Sequence, residues 1–162
     1  MQRFEGKSVI ITGAGSGLGR AAAIQIAKEK GKLALVDLNA AGLQETEREI
    51  RDIAPDAEII SVTANVANES EVQNYVAETL KNFGTIDGFF NNAGIEGKQN
   101  PTEDFGSDEF TKVLSINLTG VFYGLKHVLK VMREQGSGAV VNTASVGGIR
   151  GVGNQSGYAA AK

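Results

Sequence analysis

The sequence predicts an α/β fold, a doubly wound parallel sheet with its strands in the order 3-2-1-4-5. Three observations lead there. Short, continuously apolar runs alternate with longer segments of helical period, the pattern of right-handed βαβ units. The runs are apolar throughout, as strands covered on both faces require. The chain also carries 21 glycines against 2 prolines, and the glycines cluster at strand ends, where tight turns bring backbone close to a ligand.

The elements follow in order. Ser8 to Thr12 is a β-rich run ending in glycines, and Leu18 to Lys30 is an alanine-rich helix stopped near Gly31. Leu33 to Asp37 is a second buried strand. Ala40 to Ile53 is a charged amphipathic helix halted before Pro55. Glu58 to Thr63 is a third strand. Asn68 caps the next helix, with Glu71 completing a capping box and Val72, Val76, Leu80 and Phe83 forming the apolar stripe. Ile86 to Phe90 is a fourth strand ending in Asn91-Asn92-Ala93-Gly94. A loop through Pro101 leads to one long helix from about Asp108 to Glu134. Ala139 to Thr143 is a fifth strand, and a further helix starts near Tyr158.

The bulk numbers exclude several classes. The 162 residues suit one domain with one core. A net charge of -3 argues against nucleic-acid or membrane-surface binding. The chain has no cysteine, which rules out thiol chemistry, and its single histidine, His127, leaves little for a metal site. No segment reads as a signal peptide or a bilayer span, so the cytoplasm is the expected location.

Thr12-Gly13-Ala14-Gly15-Ser16-Gly17-Leu18-Gly19 joins the first strand to the first helix. Such glycines permit a tight turn, admit a pyrophosphate to the backbone, and leave the free N–H groups of a helix N-terminus facing it. The spacing is T-G-x-x-x-G-x-G rather than G-x-G-x-x-G. Asp37 ends the second strand, where a carboxylate can accept both hydroxyls of an adenosine ribose and repels a 2′-phosphate. No lysine or arginine lies within the glycine turn or just after Asp37, so NAD is favoured over NADP. The turn also has a purely structural reading, and Asp37 a turn-forming or helix-capping one.

Tyr158 and Lys162 stand at i and i+4, one turn apart on the same helix face. A phenol ordinarily ionises near pH ~10. A neighbouring cation stabilises a phenolate, which makes such a pair a usable acid and base.

The T-G-x-x-x-G-x-G turn, the Asn91-Asn92-Ala93-Gly94 strand end, Asn117, Ser145 and Tyr158-x-x-x-Lys162 occur together and in order. As a set they resemble the short-chain dehydrogenase/reductase family, over essentially the whole chain. The resemblance implies a Rossmann fold and a set of roles. Tyr158 exchanges a proton with the substrate oxygen, Lys162 binds the nicotinamide ribose and tunes Tyr158, Ser145 positions the carbonyl, and Asn117 holds a water linked to Lys162. It implies NAD as cofactor, held by Gly13, Gly15, Ser16, Gly17, Leu18, Gly19, Asp37, Leu38, Asn65, Val66, Asn91, Ala93 and Gly94 together with Tyr158 and Lys162. Many relatives carry aspartate where Asn65 stands, and the amide oxygen of Asn65 is expected to keep the adenine contact. Ser145 also reads as a strand-end hydroxyl, Asn117 as a polar kink in the helix, and His127 as a structural or interface residue.

The segments Gly94–Glu103 and Thr143–Gly151 resemble the levodione reductase type within the family, which implies a cyclic ketone or secondary alcohol as the small-molecule substrate. Val146, Ile149 and Val152 give the pocket wall an apolar character. The long helix is more apolar than one face needs, and the resemblance implies a homo-oligomer, a dimer or tetramer, built on it. Family members continue with further strands where this chain stops inside a helix at Lys162. The domain over residues 1–162 is therefore expected to be incomplete at its C-terminus, with the C-terminal strands absent. Two other classes stay open, an NAD-binding sensor or scaffold without catalysis, and an inactive fragment.

Overall fold

The computed structural model describes residues 2–162. Five strands form one parallel sheet: β1 (Ser8–Thr12), β2 (Lys32–Asp37), β3 (Ile59–Thr63), β4 (Gly88–Asn91) and β5 (Ala139–Asn142). Their order is β3-β2-β1-β4-β5, as the βα alternation predicts. The helices are α1 (Gly17–Lys28), α2 (Ala40–Ile53), α3 (Glu69–Phe83), α4 (Ser107–Leu114), α5 (Gly120–Gln135) and α6 (Ser156–Ala161).

The sheet separates two apolar layers. Val9, Ile11, Leu33 and Leu35 point to one face and pack with Ala23, Ile26 and Ala27 of α1 and Leu43 and Ile50 of α2. Ile10, Ala34 and Val36 point to the other, against Val72, Tyr75 and Val76 of α3 and Val128 and Met132 of α5. Alternate residues of one strand thus serve opposite layers, which is why β1 and most of β2 are buried throughout. Burying a side chain such as Ile10 contributes roughly 1.5–3 kcal/mol.

The expectation of coverage on both faces fails at the sheet's two edges. β3 and β5 are partly exposed, and Val141 is 59% exposed. Helices cover the faces of a sheet, and an apolar sequence does not tell how much of each strand they cover.

The segment expected as one long helix is α4 and α5 joined by a single π-helical turn, Ser115–Thr119. Such turns insert one extra residue and recur where a side chain is diverted to a specific partner. α5 buries Gly120, Gly124, Val128 and Met132, successive members four apart, with Gly120 against Val66 and the others toward the sheet. A Cβ on Gly124 would lie 2.7 Å from the Phe89 ring, so the small residues set how closely α5 approaches β4. The bulky residues Leu118, Phe122 and Leu129 are left facing outward.

Several boundaries shift. β4 begins at Gly88 because the backbone of Ile86 is held by the Gln135 side chain, which accepts from its N–H at 2.9 Å and donates to its carbonyl at 3.0 Å. α1 ends at Lys28, and the left-handed conformation falls on Lys30 rather than Gly31. Gly31 is needed for space, since a Cβ there would sit 2.5 Å from Ile26 and 3.1 Å from Phe4. The capping box of α3 is also rearranged. Asn68 accepts from Ser70 N–H, and Glu71 accepts from the N–H of Asn65 at 2.7 Å rather than from that of Asn68.

Candidate active site

The carboxyl ends of β1, β4 and β5 open into two adjoining pockets. The first, of about 360 Å³, is lined by Gly13, Ser16, Gly17, Leu18, Asp37, Leu38, Asn65, Val66, Ala93 and Gly94 among others. The turn that forms it is shaped by close approaches. Gly13 has φ +70°, and a Cβ there would stand 2.9 Å from the Asn92 amide. A Cβ on Gly19 would collide with the Gly13 carbonyl, so α1 packs directly on the turn that precedes it. Gly17 has φ +53° with open space where a side chain would be. The N-cap residue Ser16 makes no side-chain hydrogen bond to the first turn of α1 and that turn holds no acid, so its N–H groups are left for an anion.

Asp37 closes this pocket. Its Oδ2 accepts from Gly15 N–H at 2.9 Å and its Oδ1 from Asn39 N–H at 2.9 Å. Both bonds aim the carboxylate while leaving lone pairs open. These features fit an adenine dinucleotide: an uncapped helix N-terminus, a glycine cradle and an oriented acid at the end of the second strand.

The second pocket, of about 480 Å³, is lined by Ser145, Tyr158 and Lys162 with Asn92, Gly94, Ile95, Thr143, Glu96, Gln155, Val146 and Val152. It shares Asn92, Gly94 and Ile95 with the first. Gly147 packs between two predicted groups, for a Cβ on it would lie 3.3 Å from the Tyr158 ring and 3.5 Å from Ser145 Oγ. The Ser145 hydroxyl accepts from Gly147 N–H at 3.1 Å, which fixes its side chain at the end of β5. Lys162 Nζ donates to the Thr143 carbonyl at 2.9 Å and lies 5.8 Å from the Tyr158 ring centre.

Asn117 sits in the π-helical turn, behind the pocket wall rather than on it, and is only 3% exposed. A Cβ on Gly94 would meet both Asn117 Oδ1, at 3.1 Å, and Lys162 Nζ, at 3.7 Å. The predicted Asn117, Ser145, Tyr158 and Lys162 therefore converge around Gly94 and Gly147.

Asn91, Gly15 and Gly19, expected to hold the cofactor, do not line the nucleotide pocket. Asn91 does not reach the nucleotide pocket. It is buried, and its Nδ2 donates to the Val121 carbonyl at 3.0 Å and to Asn142 at 3.1 Å, tying α5 and β5 to β4. Gly15 lies behind the lining, against Asp37, because the chain turns inward there. Gly19 likewise serves helix packing. Asn65 lines the pocket, and its amide oxygen also accepts from Ala67 N–H at 3.0 Å.

Asn92, quoted in the sequence only as part of the strand-end motif, is not among the residues named there for the cofactor. Its Nδ2 donates to the Thr12 carbonyl at 3.1 Å and its Oδ1 accepts from the Thr143 hydroxyl at 2.9 Å, linking three strand ends. Its place directly after β4 is the signal that marks it. Glu96 and Gln155 also went unnoticed. They hydrogen-bond across the pocket mouth from loops 59 residues apart, which no local pattern reveals.

Elsewhere, His127 Nε2 lies 2.9 Å from Glu69, which Lys126 also contacts at 2.7 Å. Bonds from Lys126 and then His127 hold the Glu69 carboxyl below its ordinary range. Among the described residues no helix is long and apolar enough to cross a membrane.

A family model described as short chain dehydrogenase matches residues 7–162. Levodione reductase of Leifsonia aquatica is 63% identical over 160 residues, covering 99% of this chain and 60% of that protein. Cyclohexanol dehydrogenase of Acinetobacter sp. (strain SE19) is 36% identical, covering 99% of this chain and 63% of that protein. The crystal structure of levodione reductase superposes with a TM-score of 0.96 at 63% identity, over 98% of this chain and 62% of that one. NAD+-bound xylitol dehydrogenase superposes with a TM-score of 0.94 at 39% identity, over 99% of this chain and 61% of that one. The chain thus spans about three-fifths of the length of these relatives.

Proposed function

The chain belongs to the short-chain dehydrogenase family, and on that premise we propose that it is an NAD-dependent oxidoreductase acting on a carbonyl or secondary alcohol, with a cyclic ketone or alcohol as substrate. One observation carries this reading. The pocket holding Ser145, Tyr158 and Lys162 adjoins the glycine-rich cradle and shares Asn92, Gly94 and Ile95 with it.

Gly13, Ser16, Gly17, Leu18 and Asp37 hold the dinucleotide, with the uncapped first turn of α1 receiving the pyrophosphate and Asp37 the adenosine ribose. NAD(H) supplies or accepts the hydride when bound. Tyr158 gives its hydroxyl proton to the substrate oxygen in reduction and takes it back in oxidation. Ser145, its side chain fixed by Gly147 N–H, donates to the same oxygen and orients it. Lys162, anchored at the Thr143 carbonyl, places a positive charge beside the phenol.

The pocket's surface supports a compact carbocyclic substrate. Ile95, Val146 and Val152 form an apolar wall, and the Glu96–Gln155 pair gives a polar patch at the mouth. The relatives named for cyclic substrates, levodione reductase and cyclohexanol dehydrogenase, agree with that. The outward-facing Leu118 of the π-helical turn and Phe122 and Leu129 of α5 support a homo-oligomer formed through this stretch, in a cytoplasmic protein.

The test follows NADH absorbance with a panel of substituted cyclohexanones, and NAD+ reduction with the matching alcohols. Turnover of cyclic over open-chain ketones is expected. NADH binding with no turnover in either direction would reject the enzymatic reading and favour a nucleotide-binding module.

A further inference from the structure

We propose that Thr46 and Arg20 are positioning residues that fix the Ala14–Gly15 peptide, and through it the Asp37 carboxylate, and so set the discrimination between NAD and NADP. The proposal rests on the reading that the glycine-rich turn holds an adenine dinucleotide.

One peptide unit is gripped at both ends. The Ala14 carbonyl accepts from the Thr46 hydroxyl at 2.8 Å, and the Gly15 N–H of the same unit donates to Asp37 Oδ2 at 2.9 Å. Rotating this peptide would break both bonds at once. Ala14 and Thr46 are fully buried, so water does not replace them.

Arg20 completes the grip. A threonine hydroxyl has one proton and two lone pairs. Arg20 Nε donates to Thr46 Oγ1 at 3.0 Å, which leaves the hydroxyl proton for the carbonyls of Ala14 and Gly42. Arg20 Nη2 bonds the next carbonyl of the turn, that of Gly15, at 2.6 Å. Consecutive carbonyls are therefore held from α2 and α1. Packing leaves no slack, for a Cβ on Gly42 would lie 2.7 Å from the Gly15 carbonyl oxygen.

The same geometry disposes of a charge. Arg20 follows the last glycine of the turn, and a guanidinium there is suited to pair with a 2′-phosphate. Instead its Nη1 pairs with Glu49 at 2.8 Å, and Arg20 is not among the residues lining the nucleotide pocket. The network thus aims an acid at the ribose and withholds a cation from the phosphate that NADP adds.

The experiment titrates NAD+ and NADP+ separately by calorimetry into the wild-type protein and into Thr46→Val, Thr46→Ser and Arg20→Lys, with thermal melting of each in the absence of nucleotide. Thr46→Val is expected to weaken NAD+ roughly tenfold, the value of one lost buried hydrogen bond, with a much smaller change for NADP+. The NAD+ to NADP+ affinity ratio then falls, and Thr46→Ser restores it. Arg20→Lys keeps the charge but loses the planar fork, and is expected to lower the ratio several-fold even where Thr46→Val folds poorly. A lowered melting temperature with an unchanged ratio in both Thr46→Val and Arg20→Lys overturns the proposal and leaves the network a merely structural one. Wild-type protein that binds neither nucleotide overturns the dinucleotide reading itself.

Discussion

Asn117 holds Ile95 by both of its backbone polar groups, accepting from the N–H at 2.8 Å and donating to the carbonyl at 2.7 Å. The π-helical turn makes this grip by diverting the asparagine from the helix axis toward the pocket wall. Asn117→Ala leaves both Ile95 groups without their partner. Unfolding in urea should show a loss of about 1–3 kcal/mol, and kcat should fall as the wall beside Lys162 loosens. Asn117→Asp keeps the acceptor but sets a buried carboxylate against the Ile95 carbonyl, so it should cost at least as much.

Tyr158→Phe removes the exchangeable proton and little else. Turnover should be abolished, while NADH affinity measured by calorimetry stays within a few-fold of the wild type. Unchanged turnover would reject the role assigned to this phenol.

Asp37→Ala removes the acceptor for two backbone N–H groups and the negative charge at the end of β2. NADP+ should then bind more tightly than it does to the wild type, and NAD+ less tightly. An unaltered ratio of the two dissociation constants would count against the ribose contact.

The Arg3–Glu29 pair predicts a specific acid response. Hydrogen bonds from the Arg3 side chain first, and from Gln25 next, bring the Glu29 carboxyl from 4.5 down to about 2. A carboxyl with a lowered folded-state value stabilises the fold above its unfolded value, and that stabilisation is lost as pH falls through the folded one. The melting temperature should therefore decline between about pH 4.5 and pH 2 through this group. Glu29→Gln should flatten that part of the profile.

Tyr75 is fully buried, and among the described residues its hydroxyl has no hydrogen-bond partner. Burial pushes its phenol above the ordinary range. Tyr75→Phe removes an unsatisfied polar group and keeps the ring, so stability in urea should be unchanged or higher by up to about 1 kcal/mol. A loss of stability would mean that the hydroxyl has a partner in solution.

Most of the fold was legible in the sequence because its signals are local. The bounds of β1 and α2 are those expected, since each ends at its own punctuation, glycines after Thr12 and Pro55 after Ile53. The pairing of Tyr158 with Lys162 was legible from their i, i+4 spacing, whereas Ser145 was expected only from the family resemblance. What escaped depends on contacts across the chain. The π-helical turn reflects the hold of Asn117 on Ile95, 22 residues away. The partners of Asn91, Val121 and Asn142, lie 30 and 51 residues away. The Arg20–Thr46 network joins two helices whose sequences read only as amphipathic.

β1 is the first strand of the chain and the middle strand of the sheet, paired with β2 on one side and β4 on the other. Its second neighbour emerges from the ribosome some 80 residues later, as the separation of Thr12 from its partner Asn92 shows. Until then an apolar strand has an open edge, the circumstance that invites mispairing between nascent chains. Closing so long a loop makes assembly slow. The rate of folding should thus be governed by the arrival of β4, and weakening the Phe89 face should slow refolding more than an equally destabilising change in α2.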